Sequence, residues 1–368
     1  MSDTQNTDAK RAELADAFGQ NLDPLAEYEP TFNQIDVDPF ELFRAEVIST
    51  RDITDRTKNG YRILFDQWHK HMAEQERHPA CPSEQHVKAF IQYLRDDRGN
   101  AASTIKEKIR KLNDAYHYWQ DDPTFPHPQD YNPVHLAKSK MTLSEDQTKE
   151  PPRVTVDELR DVLSEVNHVR NRAIILIQLK LGLRATELCN IKLSEITIGN
   201  SAIRDHYDDL GTDPILKSRE NVVHIPHDRD GNKSQRPRVL PLDDELRQSL
   251  LQYLLMRPDN GEPWLFLSMT THKQPDKQLI NGVWKNAFHP EYTETEEHRA
   301  ITSHFGRHYF TTFWRVDQDL NSELVKYMRG DTPGGADLED QRAMLQYIHT
   351  YYEDIREPYL KNIYKFQV

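Results

Sequence analysis

From Phe40 onward, apolar positions recur at helical spacing. In DRTKNGYRILFDQWHKHM, Tyr61, Leu64, Phe65 and Trp68 fall at i, i+3, i+4 and i+7, one face of a helix, with Asp55 and Thr57 available as N-terminal caps. A second helix follows Pro82-Ser83 through VKAFIQYL. A third, ASTIKEKIRKLNDAYHYW, begins after Gly99-Asn100 with a Ser103 cap and stacks Ile105, Ile109, Leu112 and Tyr116 on its inner face. The stretch from Gln120 to Pro152 holds six prolines and little periodicity, the pattern of a linker. Beyond it, VTVDELRDVL predicts a capped helix and NRAIILIQLKLGL a nearly all-apolar one suited to a core. The short runs ENVVHIP and RPRVLPL flank the turn-rich HDRDGNKSQ and predict a small hairpin. Helical patterns then run to the end, closing on the amphipathic YYEDIREPYLKNIYKF. The expected architecture is mainly α with a small β-sheet (α+β). It divides into an acidic, partly disordered arm at 1–39, a helical domain at 40–122, a Pro-rich linker at 123–152, and a second domain with a C-terminal tail at 153–368.

Composition narrows the function classes. The chain has 368 residues, 36% hydrophobic and 29% charged, which suits a soluble protein of two or three domains. No apolar run approaches the roughly 20 residues of a bilayer span, and MSDTQNTDAKRAELADAFG lacks the basic-then-apolar order of a secretory signal. The expectation is an intracellular protein with no membrane partner. Cys81 and Cys189 fit neither a disulfide framework nor a zinc spacing, so no metal site is expected.

The formal net charge of −13 is uneven, because nine acids face only Lys10 and Arg11 in the first 39 residues. An acidic total argues against a simple polycation that coats nucleic acid, but not against bases gathered on one face. It also fits a high-salt cytoplasm, such as that of a halophilic archaeon. The third helix carries Lys106, Lys108, Arg110 and Lys111 on its outer face, and Thr57, Lys58 and Arg62 occupy corresponding places on the first. On one helix such bases read as a solvated surface; on two helices of one small bundle they suggest a clamp on phosphates.

Residues 301–314, ITSHFGRHYFTTFW, set Arg307 among aromatic residues that would bury most of the segment. Burying an unpaired guanidinium is expensive, so an anion is expected opposite Arg307. A buried acid such as Glu187 would serve, and so would a ligand.

Four islands of the second domain bear on that choice: LGLRATELCNIKLSEI, KSQRPRVLP, HFGRHYFTT and QYIH. In this order and at this approximate spacing they resemble the tyrosine recombinase family, also called phage integrases. The family patterns they match are G-L-R-x-[ST]-E-L, a hairpin Lys followed by Arg at five and Pro at eight residues (Lys233, Arg238, Pro241), H-x-L-R-H-x-F-A-T, and Y-x-H. The resemblance covers about 200 residues, and the helical domain before the linker looks like the family's SAM-like core-binding domain.

The resemblance implies a site-specific recombinase that clamps duplex DNA between its two domains and exchanges strands by transesterification. It further implies a cytoplasmic, nucleoid-associated protein without a cofactor, working as a homo-oligomer, a tetramer on paired sites, with the C-terminal segment docking onto a neighbour. Arg184 and Arg307 would hold the nonbridging oxygens, since two guanidiniums stabilise the added charge of a pentavalent phosphorus. Glu187 would brace an arginine, Lys233 would protonate the departing 5′ oxygen, and His304, at i−3 from Arg307, would accept or relay the nucleophile's proton. His308 would pack structurally. Tyr347, completed by His349, would be the nucleophile, forming a 3′-phosphotyrosyl ester that conserves bond energy for rejoining. Tyr351, Tyr352, Tyr359 and Tyr364 are competitors for that role, and Arg236 for that of Lys233.

One departure touches the chemistry. Asp331 stands where the family has His or Trp, and an ionised carboxylate cannot donate to a phosphate oxygen. Either Asp331 turns outward and another group substitutes, or activity is reduced. A second departure, Gly306 in place of the usual Leu, concerns packing. The rival readings are a catalytically silent DNA-binding relative, a type IB topoisomerase, and an all-helical interaction protein.

Overall fold

The computed structural model describes residues 2–142, 149–289, 291–332 and 351–368. The chain divides into two compact units, Met1–Thr148 and Lys149–Val368. No helix among the described residues is long and apolar enough to cross a membrane.

The first unit is helical: α1 (Ser2–Ala17), α2 (Asp55–Glu74), α3 (Glu84–Gln92), α4 (Ala102–Asp121) and α5 (Pro133–Lys140). The periodic residues of α2 and α4 are its core, with Tyr61, Leu64, Phe65, Trp68, Ile105, Ile109, Leu112 and Tyr116 all buried. Each such side chain contributes roughly 1.5–3 kcal/mol by leaving water. Trp68 also keeps its polar edge satisfied, donating from Nε1 to the Pro79 carbonyl at 2.9 Å. The helix starts lie slightly upstream of the expected caps: Thr54 caps α2, and α4 begins at Ala102 rather than after Ser103.

Two expectations about the flanks need correction. The expected arm at 1–39 is not loose throughout, because its Leu25 and Phe32 are buried in the first unit's core with Phe40 and Phe43. Pro24, Pro30 and Pro39 lie in the first turns of the short helical segments Pro24–Tyr28, Glu29–Phe32 and Pro39–Phe43. At a first turn the missing N–H costs nothing and the fixed φ is already helical. Nor is the Pro-rich stretch extended throughout. Asn132 caps α5, which buries Val134 and Ala137, and Gln120 reaches back to the Pro128 carbonyl at 2.7 Å.

The second unit is built around α7 (Val169–Leu181), whose residues Ala173 to Leu181 are all buried. Around it lie α6 (Val156–Glu165), α8 (Ala185–Cys189), α9 (Asp244–Met256), α10 (Lys277–Phe288), α11 (Ser303–Thr312), α12 (Ser322–Arg329) and α13 (Tyr352–Asn362). The expected hairpin is present as β2 (Val222–Ile225) and β3 (Arg238–Pro241), antiparallel with Val222 opposite Pro241 and Ile225 opposite Arg238. A short β1 (Ile196–Thr197) adds antiparallel to β2, giving the order β1-β2-β3.

Lys180 is the exception in apolar α7. It is fully buried and ion-paired to Asp243 at 2.8 Å and Glu245 at 2.7 Å, and it donates to the Tyr364 carbonyl at 2.9 Å. Glu245 in turn accepts from the Phe366 amide at 3.1 Å, and the Tyr359 hydroxyl donates to the Lys180 carbonyl at 3.0 Å. Ile355, Tyr359, Ile363, Tyr364 and Phe366 are buried in the same core. The C-terminal segment, expected to reach a neighbour, is thus packed into its own unit. Its apolar face finds a partner in cis.

Candidate active site

The site starts where α7 stops. Gly182 takes a left-handed φ of +63°, closing α7 through its amide to the Gln178 carbonyl at 3.0 Å. A Cβ there would also lie 2.6 Å from the Phe310 ring. The turn delivers Arg184 to the start of α8 and aims the Gly182 carbonyl at Arg307 Nη1, 2.9 Å away. Arg307 is only 3% exposed, on the inner face of α11. On the same helix Gly306 has no room for a larger residue, since a Cβ would sit 3.0 Å from the Trp284 ring.

Beneath the arginines lies Glu187, fully buried. Its Oε2 accepts from the Arg184 amide at 2.8 Å and from Arg238 Nη2 at 3.0 Å, while Oε1 pairs with Arg184 Nη1 at 3.2 Å. Burial alone would raise its pKa, but the charges of Arg238, Arg307 and Arg184 and the Arg184 amide outweigh it and hold the carboxyl below its ordinary value. Glu187 is therefore an ionised brace for Arg184 and Arg238.

The carboxylate facing Arg307 is Asp331. Helix α12 ends on Gly330 at φ +70°, with the Gly330 amide bonded to the Tyr327 carbonyl and the Asp331 amide to the Lys326 carbonyl, both at 2.9 Å. A side chain at 330 would run into the Arg238 guanidinium. The turn points Asp331 inward, not outward: Oδ1 lies 2.9 Å from Arg307 Nη2 and 3.3 Å from Arg184 Nη2. Its Oδ2 is ion-paired with Arg329 Nε at 2.8 Å. Two guanidiniums from separate islands thus address one carboxylate oxygen, the arrangement of an anion seat. Burial and the neighbouring Arg184 charge lower the Arg307 pKa, while Glu187 and Asp331 oppose the shift.

His304 and His308 occupy the exposed edge of α11, their rings edge-on with centroids 4.5 Å apart. Burial first, then His308, Arg307 and Arg184, push the His304 pKa below its ordinary value, so the imidazole is neutral at pH 7. Lys233 is exposed on the turn between β2 and β3. On that turn Arg236 is partly buried and lies over the Tyr327 ring, 5.1 Å from its centroid.

Tyr347 and His349 fall outside the described residues. Two of the competing tyrosines are unsuited to attack, because Tyr359 and Tyr364 are deeply buried and burial raises their pKa far above the ordinary value. Tyr352 is buried under the Arg219 guanidinium, whereas Tyr351 is exposed. Sequence reasoning gave no role to Arg238 or Arg329. The first had a signal, a basic residue inside an otherwise apolar strand; the second, a last-turn base before a helix-ending Gly, looked like an ordinary C-terminal charge.

In the first unit, α2 and α4 lie side by side, with Lys111 over the Tyr61 ring at 5.2 Å and Lys108 Nζ bonded to Gln67 Oε1 at 3.0 Å. Several of the bases on these two helices are already engaged. Arg110 pairs with Glu107 at 2.8 Å and Asp114 at 3.0 Å, Arg62 with Asp66 at 3.5 Å, and Lys58 with the Ser49 carbonyl at 3.2 Å. Thr57 serves the α2 cap through its amide, and Lys106 is partly buried.

Residues 152–315 match the model of the Phage integrase family. Tyrosine recombinase XerA of Pyrococcus horikoshii is 27% identical over 180 residues, 49% of this chain and 53% of the relative. XerA of Pyrococcus furiosus is 24% identical over 182 residues, with the same shares. The chain therefore spans about half the length of the curated relatives it matches. Among solved structures, the Tn1549 transposon integrase in complex with transposon right end DNA shares the fold at a TM-score of 0.58 and 19% identity, over 88% of this chain and 98% of that one. A lambda integrase tetramer bound to a Holliday junction gives 0.59 and 13%, over 90% and 88%. Arg184, Glu187 and Arg307 are drawn together from separate motifs of the matched region, and residues 152–315 are similar throughout to the Phage integrase family.

Proposed function

We propose that this protein is a site-specific DNA recombinase that cleaves and rejoins duplex DNA through a 3′-phosphotyrosyl intermediate. The observation that carries the reading is the anion seat, with Arg307 Nη2 and Arg184 Nη2 both directed at Asp331 Oδ1 and Glu187 buried behind them. A scissile phosphate replacing that carboxylate would present nonbridging oxygens to the same donors. The Tyr347 oxygen attacks phosphorus and forms a P–O bond. The bond to the 5′ oxygen breaks, and that oxygen leaves with a proton from Lys233. Neutral His304 takes the phenolic proton, and attack by a 5′ hydroxyl reverses the sequence on the partner strand. The guanidiniums act on the charge gained at phosphorus in the transition state. The basic faces of α2 and α4 hold the DNA backbone, and assembly on paired sites as a tetramer completes the exchange.

One observation favours a second reading, that of a silent DNA-binding relative: an acid occupies the seat. Covalent trapping separates the two. The protein is incubated with nicked, sheared DNA, and detergent-resistant adducts are mapped by peptide mass. The expected result is an adduct at Tyr347 that disappears in Tyr347→Phe and in Arg307→Ala. DNA binding with no adduct at any tyrosine would overturn the enzyme reading.

A further inference from the structure

Asp331 is bound by three guanidiniums, not two. Besides Arg184 and Arg307 on Oδ1, Arg329 approaches Oδ2 at 2.8 Å. A carboxylate and a phosphate both present pairs of anionic oxygens at short separation, so the group that holds one edge of Asp331 is placed to hold one edge of a phosphate.

Arg329 does not depend on Asp331 for its position. Its Nη1 donates to Thr311 Oγ1 at 3.3 Å, one turn beyond Arg307 on α11, and Thr311 Oγ1 donates to the Arg307 carbonyl at 2.7 Å. The Arg329 carbonyl accepts from Arg307 Nη1 at 3.1 Å. Backbone and side chain are therefore both tied to the arginine at the centre of the seat. The buried Nε, by contrast, has no aligned hydrogen-bond acceptor among the described residues, so its contact with Asp331 is ionic only. A buried guanidinium N–H in that state gains from any anionic oxygen that meets it squarely.

We propose that Arg329 is a third phosphate-binding guanidinium of this site, supplying the donor that the carboxylate at 331 cannot, and that Asp331 is a positioning residue that fills the seat until the phosphate displaces it. The inference rests on the reading of the seat as a phosphate site. In place of one neutral donor, this chain offers a charged pair. Asp331 holds the cationic cluster together in the absence of DNA, and its departure leaves Arg184, Arg307 and Arg329 around the entering anion.

The test is titration calorimetry of the full chain with inorganic phosphate at low salt, with melting curves to confirm that every variant is folded. Asp331→Asn should bind phosphate about tenfold or more tighter than the unaltered protein, because the competing internal anion is gone. Adding Arg329→Leu to Asp331→Asn should lose about tenfold again, and adding Arg329→Lys should lose less, since a charge remains without the fixed fork. If Asp331→Asn/Arg329→Leu binds phosphate as tightly as Asp331→Asn, Arg329 is only the counter-ion of Asp331 and the proposal fails while the seat stands. If Asp331→Asn/Arg307→Lys also binds as tightly, or no variant binds, the phosphate seat itself is overturned and the proposal with it.

Discussion

Glu187 and His304 show how the same arginine cluster acts on two neighbours in opposite ways. Glu187 is buried against Arg238, whose own guanidinium is fully buried, so Glu187→Ala leaves an uncompensated charge in the core. The expected loss is about 3–5 kcal/mol, read as a lower midpoint in urea unfolding. Because its folded pKa is below the ordinary 4.5, Glu187 contributes stability that is fully present above that value and lost as pH falls through the lower folded value. For His304, burial and the neighbouring cations disfavour the proton, so the neutral base persists at more acid pH than a free imidazole. The rate of adduct formation should therefore hold level as pH passes down through 6.5 and decline only below it. An acid limb centred at or above 6.5 would contradict this role for His304.

At the scale of elements, helix ends build the site. Arg184 follows the Gly182 turn that ends α7, and Asp331 follows the Gly330 turn that ends α12. A helix terminus fixes the direction of the next side chain more tightly than a loop does, because its capping bonds are local and obligatory. Gly330→Ala meets both an unfavourable φ of +70° and the Arg238 guanidinium. It should cost at least about 1–2 kcal/mol and displace Asp331 from the seat. Gly282, inside α10 with open space at its Cβ, is the matched control, and Gly282→Ala should stabilise by about 0.5–1 kcal/mol. Equal effects in thermal melts of the two variants would count against the turn as the positioning device.

At the scale of the whole molecule, the second unit closes on its own C-terminus. The buried Lys180, with Asp243 and Glu245, ties α7, the start of α9 and the last residues together, and Ile363, Tyr364 and Phe366 complete the packing. Truncation after Asn362 should lower stability by more than about 4 kcal/mol, given roughly 1.5–3 kcal/mol for each buried side chain. The loss should be independent of protein concentration. A loss that shrinks on dilution would mean instead that the segment draws its stability from a second copy.

The sequence by itself determined the helical faces, the hairpin and the identity of the cationic residues. Tyr61, Leu64, Phe65 and Trp68 are buried because their spacing leaves no other face to bury, and RPRVLPL pairs with ENVVHIP because the turn-rich stretch between them lets the two apolar runs fold back on each other. Arg184, Glu187 and Arg307 were legible because each island carries its own local pattern. Tertiary structure alone decided the partners. Asp331 lies 147 positions from Arg184 and 24 from Arg307, and no local rule states that a carboxylate placed by one helix end will meet guanidiniums from two others. Whether the prolines of the N-terminal segment break or start helical turns was decided in the same way, since a proline is a breaker within a helix and a starter at its first turn, and only packing of Leu25, Phe32 and Phe40 selects between them. Periodicity is a property of neighbours along the chain; pairing of buried charges is a property of neighbours in space.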